Sequence, residues 1–463
     1  MGIQRVPWLR GCGLALLSVM CLPGSGTAQA PGGFGAPCSP GEFSFSGNVL
    51  VCSEAGAFRN ALSEDLPPAP AGGYVERPSW YPSLSDVFHA VEPPRCPLTG
   101  RVTFTSPVVR IEDVIGTTPQ GLMVADHVTP IDHGYIGVRP LNTPPAERTE
   151  ADYVPISAPA DAEVIEISLL GAPNTIRVVL ANGCDTYSIY MVLNRLSGAL
   201  AFLQDDLLAR GSLAPYVRLL AGEEFAEQRD NPVDFSVHDG GAWLSGFVSP
   251  FSYTVAEAWK PYTVDPWPYF SPDLAAAYEA SMLRLVPPRW GTIDQDVPGT
   301  ASGNWFVAGT VGYSGRSEAE FRAAEPVRGG PVEDRNTYAW SHLAIVRHHV
   351  QPGTWMLSTG WWRNERGDPT QWLLGVDEGQ PQPSDLTAES GLVVYRLWSF
   401  TYSPPYKGYG MQAVGYELVP QQVVGLAAVQ VREGEALAIE LKPDVQSPAG
   451  VVGFSPAVRV YRR

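Results

Sequence analysis

From Arg101 onward the chain is written in short runs of branched and aromatic residues, broken by turn chemistry. This pattern leaves room for strands and few long helices. Val102–Thr105 and Val108–Ile111 alternate or cluster branched side chains. Further runs follow at Tyr135–Val138, Glu163–Leu169, Ile176–Leu180 and Tyr187–Val192. Gly171-Ala172-Pro173-Asn174 and Ala181-Asn182-Gly183 separate them. Gly and Asn tolerate positive φ and Pro presets its own, so both stretches read as turns. Leu220–Phe225 and Val233–Asp239 close this β pattern near Pro250.

A second β-rich stretch begins at Arg289, with strands expected near residues 303–313, 339–347, 353–362, 392–400 and 410–417. Val423–Val431 and Ala436–Ile439 flank Glu433-Gly434 as a hairpin. Helices are few. The leucine spacing of Asp205–Leu220 suggests one. Asp273–Leu285 suggests another, with Ser271 as N-cap and Pro272 at the first helical position. The expected fold is mainly β: a sandwich or barrel over residues 100–250, a connector with one helix over 251–288, and a β-rich domain over 289–463.

The N-terminus reads as a secretory signal peptide over residues 1–30. Arg5 and Arg10 precede an apolar core, Cys12–Leu22. That core is too short for a membrane span, which takes about 20 residues. Ala28-Gln29-Ala30 supplies small residues for cleavage. Cys21 suggests lipoprotein processing, but bulky Met20 precedes it, and soluble export is the favoured reading. The formal net charge is −17, and loss of Arg5 and Arg10 makes the remainder more acidic. Such a balance argues against nucleic acid and anionic lipid as partners. Residues 31–99 are rich in Pro, Gly and Ser and read as a weakly structured segment. Cys38, Cys52, Cys96 and Cys184 remain after export. An even number suggests two disulfides. Cys38–Cys52 with Cys96–Cys184 is preferred among three pairings.

The chemistry-bearing stretch is Asp126–His133, with two imidazoles and two carboxylates. Downstream stand Ala158-Pro159-Ala160-Asp161-Ala162-Glu163-Val164, Tyr190–Ser197 and Leu220-Ala221-Gly222-Glu223. Together these resemble the lysostaphin-type zinc peptidases, which have an Ala-Pro-x-Asp-Gly-x-Val turn, a strand leading to His-Leu-Ser, and a Val-x-x-Gly-Gln turn. The resemblance implies a duplicated-hybrid-motif β-sandwich or barrel. His127, Pro130, Asp132 and His133, with the stretch Gln295–Phe306, also resemble a branch of exported proteins sharing His-x-x-Pro-x-Asp-His and Gln-Asp-x-Pro-Gly-Thr-x-x-Gly-Asn-Trp-Phe motifs. The second motif is long and specific but brings no chemistry with it.

A hydrolytic zinc site needs three protein ligands, an open position, and a base or oxyanion stabiliser. The resemblance implies His127 and Asp132 as the first pair and Asp234 as third ligand, with His238 a weaker candidate; His133 and His238 are the nearby histidines that could take catalytic roles. His127 and Asp132 are five apart, where the family has four. On an extended chain that spacing turns them to opposite faces unless Pro130 bends it. The His-Leu-Ser segment reads Asn194-Arg195-Leu196-Ser197 here. Neither Asn nor Arg serves as a neutral-pH base, although Arg could steady an oxyanion. His127 and His133 also fit a simpler role, bonded to backbone or packed beside Tyr135.

The implied function is therefore a peptidase-like domain without catalysis. It would bind or scaffold peptide or glycan at the cell envelope or outside the cell. The alternative is a zinc-dependent endopeptidase acting on cell-wall peptides. His342, His348 and His349 read as satisfied or surface histidines. Trp355, Trp361, Trp362, Trp372, Trp398, Tyr402, Tyr406 and Tyr409 fill a β core or form a sugar-stacking surface.

Overall fold

The structure is a computed structural model that describes residues 34–70, 73–88, 102–171, 175–323, 340–360, 370–405, 415–443 and 445–463. It is mainly β, in two β-rich regions with short helices.

The first region is built on a nine-stranded antiparallel sheet. Its path runs Ser212–Leu213, Ala162–Leu170, Thr175–Ala181, Thr186–Leu193, Val233–Asp239, Gly134–Val138, Val114–Thr118. Val217–Leu219 and Thr263–Val264 add to its sides. A three-stranded sheet of Arg195–Leu196, Glu224–Gln228 and Val154–Ser157 packs against it. The central strands are buried on both faces, which explains their unbroken apolar runs. Val178 and Tyr190 point into the core shared with Ile156 and Phe225. Their neighbours Val179 and Ile189 point the other way.

That second face is covered by the N-terminal segment. The sequence reads this segment as weakly structured, but it forms three strands, Phe43–Phe45, Val49–Cys52 and Phe58–Asn60. Val49, Leu62, Trp80, Tyr81 and Leu84 pack with Ile165, Val179, Tyr187 and Ile189 of the sheet. The segment's local turn residues hide an apolar stripe whose partner is distant in sequence. Cys38 and Cys52 are disulfide-bonded. Cys184 is disulfide-bonded too, and Cys96, its expected partner, lies outside the described residues.

Several expected elements are corrected. Val102–Thr105 and Val108–Ile111 are not strands. Phe104 makes a lone bridge to Phe270, and Ile111–Asp113 is a 3-10 turn. The leucine-spaced helix is only Gln204–Arg210, ended by Gly211 at φ 78°. Glycine adopts that left-handed cap without a steric penalty. Leu213 and Leu219 then pair with Ala162–Leu170. The later helix, Pro272–Ser281, starts as expected, but Ser271 makes no side-chain cap bond. It stops short of Leu285, and the Leu283 N–H goes to the Thr117 carbonyl at 2.9 Å.

The second region is a closed antiparallel barrel of eight strands in sequence order: Gly303–Val307, His342–Arg347, Trp355–Thr359, Thr370–Gly375, Val393–Pro405, Gly415–Arg432, Ala436–Pro443 and Arg459–Arg462. Pairing of Phe306 with Arg462 closes it, which removes sheet edges. Its interior is apolar, with Trp305, Leu343, Ile345, Leu357, Tyr395, Val429 and Ile439 buried. Residues 415–417 of the run expected at 410–417 and the separate run at 423–431 belong to one strand, Gly415–Arg432, broken by register shifts; residues 410–414 lie outside the described residues. Residues 399–405 and 415–423 continue past the barrel as a two-stranded ribbon.

Candidate functional site

Val233–Asp239 lies between Gly134–Val138 and Thr186–Leu193, with Asp234 opposite both Tyr135 and Met191. The loop 124–133 feeds the first of these neighbours. It turns sharply, with Val124 bridged to His127 and Ala125 at φ 47°. This bend delivers Asp132 and His133 to Asp234.

His133 occupies the centre. Its Nδ1 is 3.1 Å from Asp132 Oδ1 and its Nε2 is 3.5 Å from Asp234 Oδ2. The other Asp132 oxygen accepts the indole N–H of Trp259 at 2.8 Å. The His127 ring stands 5.9 Å from the His133 ring, edge to face. His238 lies four residues beyond Asp234, held by Ser236 Oγ at 3.0 Å and Thr263 Oγ1 at 3.3 Å. Asp132, His133 and Asp234 are only 6%, 4% and 5% exposed.

Burial alone would push Asp132 up, but the His133 hydrogen bond and the charge of Lys260 hold its carboxyl below the usual carboxylate range. Burial disfavours the charged form of His133, yet its bond to Asp132 and the charge of Asp234 raise it. Asp234 is pushed up to about 7 by burial, against the opposing charge of His133. Burial pushes His238 down to about 4 and His127 to about 3. The result is an imidazole that takes a proton more readily than usual, between a carboxylate held below its usual range and one pushed above it.

Asp132 therefore has both oxygens engaged, and an imidazole stands between it and Asp234. Among the described residues, no group of three or more His, Cys, Asp or Glu side chains is arranged to hold a metal ion. Zinc at this place requires convergent ligand atoms and an open position. His127, Asp132 and Asp234 do not fit that requirement as they stand. Among the described residues, His133 Nε2 and Asp234 Oδ1 nevertheless lack hydrogen-bond partners.

The sequence reading missed the residues that close this centre, because they lie in the aromatic connector. Trp259 stacks at 6.0 Å on Phe88 of the N-terminal segment, and the Arg177 guanidinium lies 5.4 Å over its ring. Lys260 is fully buried, 3.0 Å from Glu257 and 3.3 Å from the Tyr313 hydroxyl. Burial raises Glu257 against the pull of Lys260. A lysine amid aromatic residues was the one available signal, and no period marked it as buried.

The other chemistry-bearing stretches have structural partners. Arg195 stacks 3.8 Å over Tyr153 and pairs with Glu150 and Glu227. Asn194 Oδ1 accepts the backbone N–H groups of Arg229 and Asp230 at 2.7 and 2.9 Å. The Gln295–Phe306 motif is a staple between connector and barrel. Gln295 Oε1 accepts the Arg347 N–H at 2.8 Å. Asp296 accepts N–H groups from Asn304 at 2.7 Å and Val248 at 3.0 Å. Asn304 Nδ2 reaches the Tyr253 hydroxyl at 2.9 Å. A Cβ at Gly303 would meet Asp296 Oδ1 at 2.3 Å, so close packing and a φ of 130° both require glycine.

His342 bonds the Tyr313 carbonyl at 3.0 Å. Trp355 is core, with its indole N–H on Gln382 at 2.7 Å. Trp372 packs against the barrel core, and Trp398 against the barrel's outer face around Met123. Trp361, Trp362, Tyr406 and Tyr409 lie outside the described residues. Comparisons with family models, curated proteins and solved structures find no match to this chain.

Proposed function

We propose that this chain is an exported, peptidase-like module that has left catalysis and serves in binding or scaffolding, of peptide or glycan, at the cell envelope or outside the cell. One observation carries the reading: His133 is paired between Asp132 and Asp234 and sealed under Trp259. Peptide hydrolysis needs solvent, substrate access, an oxyanion stabiliser and a proton donor for the leaving amine. Here the central ring is buried, and Asn194 and Arg195 serve the small sheet. Each missing acid–base group commonly costs about 10²–10⁴-fold in rate.

Export is supported by the leader-like N-terminus and the disulfide chemistry. No helix among the described residues is long and apolar enough to cross a membrane.

The zinc-endopeptidase alternative draws on two atoms that make no hydrogen bond among the described residues, His133 Nε2 and Asp234 Oδ1. One experiment separates the readings. Purified protein is incubated with cross-linked peptidoglycan, with added zinc or after metal stripping, and soluble muropeptides are measured. Equal release in both arms is expected. Zinc-dependent release abolished by His127→Ala would establish the peptidase instead.

A further inference from the structure

The turn between the barrel strands His342–Arg347 and Trp355–Thr359 binds three separate parts of the molecule. Gln351 Oε1 accepts the Leu418 N–H of the ribbon at 2.8 Å. The His349 carbonyl accepts Arg284 Nη1, beyond the Pro272–Ser281 helix, at 2.9 Å. Val350 packs with Leu122, Ile131 and Leu283. Ile131 directly precedes Asp132, so the turn also braces the loop that delivers the buried centre.

This turn is organised around one ring. His348 Nδ1 accepts two backbone N–H groups, from Val350 at 3.2 Å and Gln351 at 3.1 Å. The neutral ring therefore carries its proton on Nε2, 2.9 Å from the Tyr402 hydroxyl of the ribbon. The His349 ring lies 4.2 Å away, and its buried Nε2 has no hydrogen-bond partner among the described residues. The titratable and charged groups facing His348 are His349, Arg284 and Tyr402. No carboxylate is among them in the described residues.

We propose that His348 is an acid-sensitive latch: a proton on its Nδ1 opens this turn and releases the ribbon and the loop around Leu122 and Ile131 from it. A proton there would face two N–H donors, so neither amide bond could persist. No anion stands ready to compensate the new charge. Burial, with His349 and Arg284, holds the ring well below its ordinary value. In the opened turn it regains an ordinary value of about 6.5. Below that pH the open form binds the extra proton, and opening becomes up to about tenfold more favourable per pH unit.

The test is amide hydrogen exchange of the full chain between pH 7.5 and 5, corrected for intrinsic rates. Segments 348–354 and 415–423 are compared with the sheet strand Thr175–Ala181. In the unmodified protein, protection of the first two should fall by up to about tenfold per pH unit below pH 6.5, while the strand holds. His348→Asn retains an acceptor for the two amides but takes no proton in this range, so its profile should be flat. Tyr402→Phe should lower protection throughout yet keep the slope. A flat profile in the unmodified protein would overturn the latch. So would an equal slope in His348→Asn, or simultaneous loss of protection in Thr175–Ala181. Should His348→Asn fail to fold at pH 7.5, the slopes of the unmodified protein and Tyr402→Phe decide the matter.

Discussion

The two β regions bury their centres in opposite ways. The barrel interior is filled by an apolar cluster that includes Trp305, Leu343, Ile345, Leu357 and Val429. The covered face of the first region instead buries Asp132, His133, Asp234, His238 and Lys260. Apolar burial stabilises roughly in proportion to area and is insensitive to pH. Buried charges hold only while each keeps its partner, and their net contribution depends on protonation. A polar cluster in a β domain is thus evidence of a constraint, and its pairing and access decide whether that constraint is chemical or structural.

The contrast can be tested from the largest effect downward. Truncating Trp305 to Ala should cost about 3–5 kcal/mol, because it empties a fully buried aromatic position. Urea unfolding should show the same loss at pH 8 and pH 6. Asp132→Ala should cost a similar amount, about 3–5 kcal/mol, by removing the carboxylate bonded to the buried His133 ring and the Trp259 indole. Its cost should depend on pH. The Asp132 carboxyl is lowered in the fold, so its stabilisation is present above the unfolded value of about 3.9 and disappears as pH falls through the folded value. A pH-independent cost would break the distinction between the regions.

The histidines give an intermediate effect. Of the six histidines among the described residues, five are lowered by burial: His127, His238, His342, His348 and His349. The unfolded chain protonates them first as pH falls below about 6.5, so each withdraws up to about 1.4 kcal/mol per pH unit. Asp185, Asp234, Glu257, Asp265, Asp294 and Asp296 oppose this, since burial raises each of them and the fold takes their protons first. A single histidine's share is isolated by His342→Asn, which removes a group that burial pushes down to about 3. Chemical denaturation should show the cost of that variant shrinking as pH falls between about 6 and 4; a constant cost would contradict the assignment. The smallest effect belongs to the surface. Arg195→Ala should cost less than about 1 kcal/mol, because its ion pairs are at least partly exposed to solvent.

Much of the fold was legible because the central strands follow simple rules. Ala162–Leu170, Thr175–Ala181 and Thr186–Leu193 lie within a residue or two of their apolar runs. The Glu433-Gly434 hairpin was equally clear, with Arg432 pairing Ala436. Local periodicity failed where a distant partner decides. Phe104 and Val108 look like strand residues, yet both serve the core from irregular backbone. The N-terminal segment looked loose because its apolar partners lie more than 80 residues on.

The candidate site was legible in part. The Asp126–His133 stretch and Asp234 were singled out, and the fold brings Asp132, His133 and Asp234 together. The role of His133 as the bridging ring was not readable, since it depends on a bend in loop 124–133. Trp259 and Lys260 were hidden because a connector rich in proline and aromatic residues has no period that reveals what it covers.

The most direct test of a structural centre is thermal stability with and without metal. A ligand that binds only the folded state raises Tm according to its free concentration relative to Kd. If His133 bridges Asp132 and Asp234 as a permanent internal partner, Tm in excess chelator should equal Tm in saturating zinc, and His133→Ala should lower both alike. A zinc-dependent rise in Tm, lost when His127 and Asp132 are both replaced by alanine, would show that this centre is a metal site.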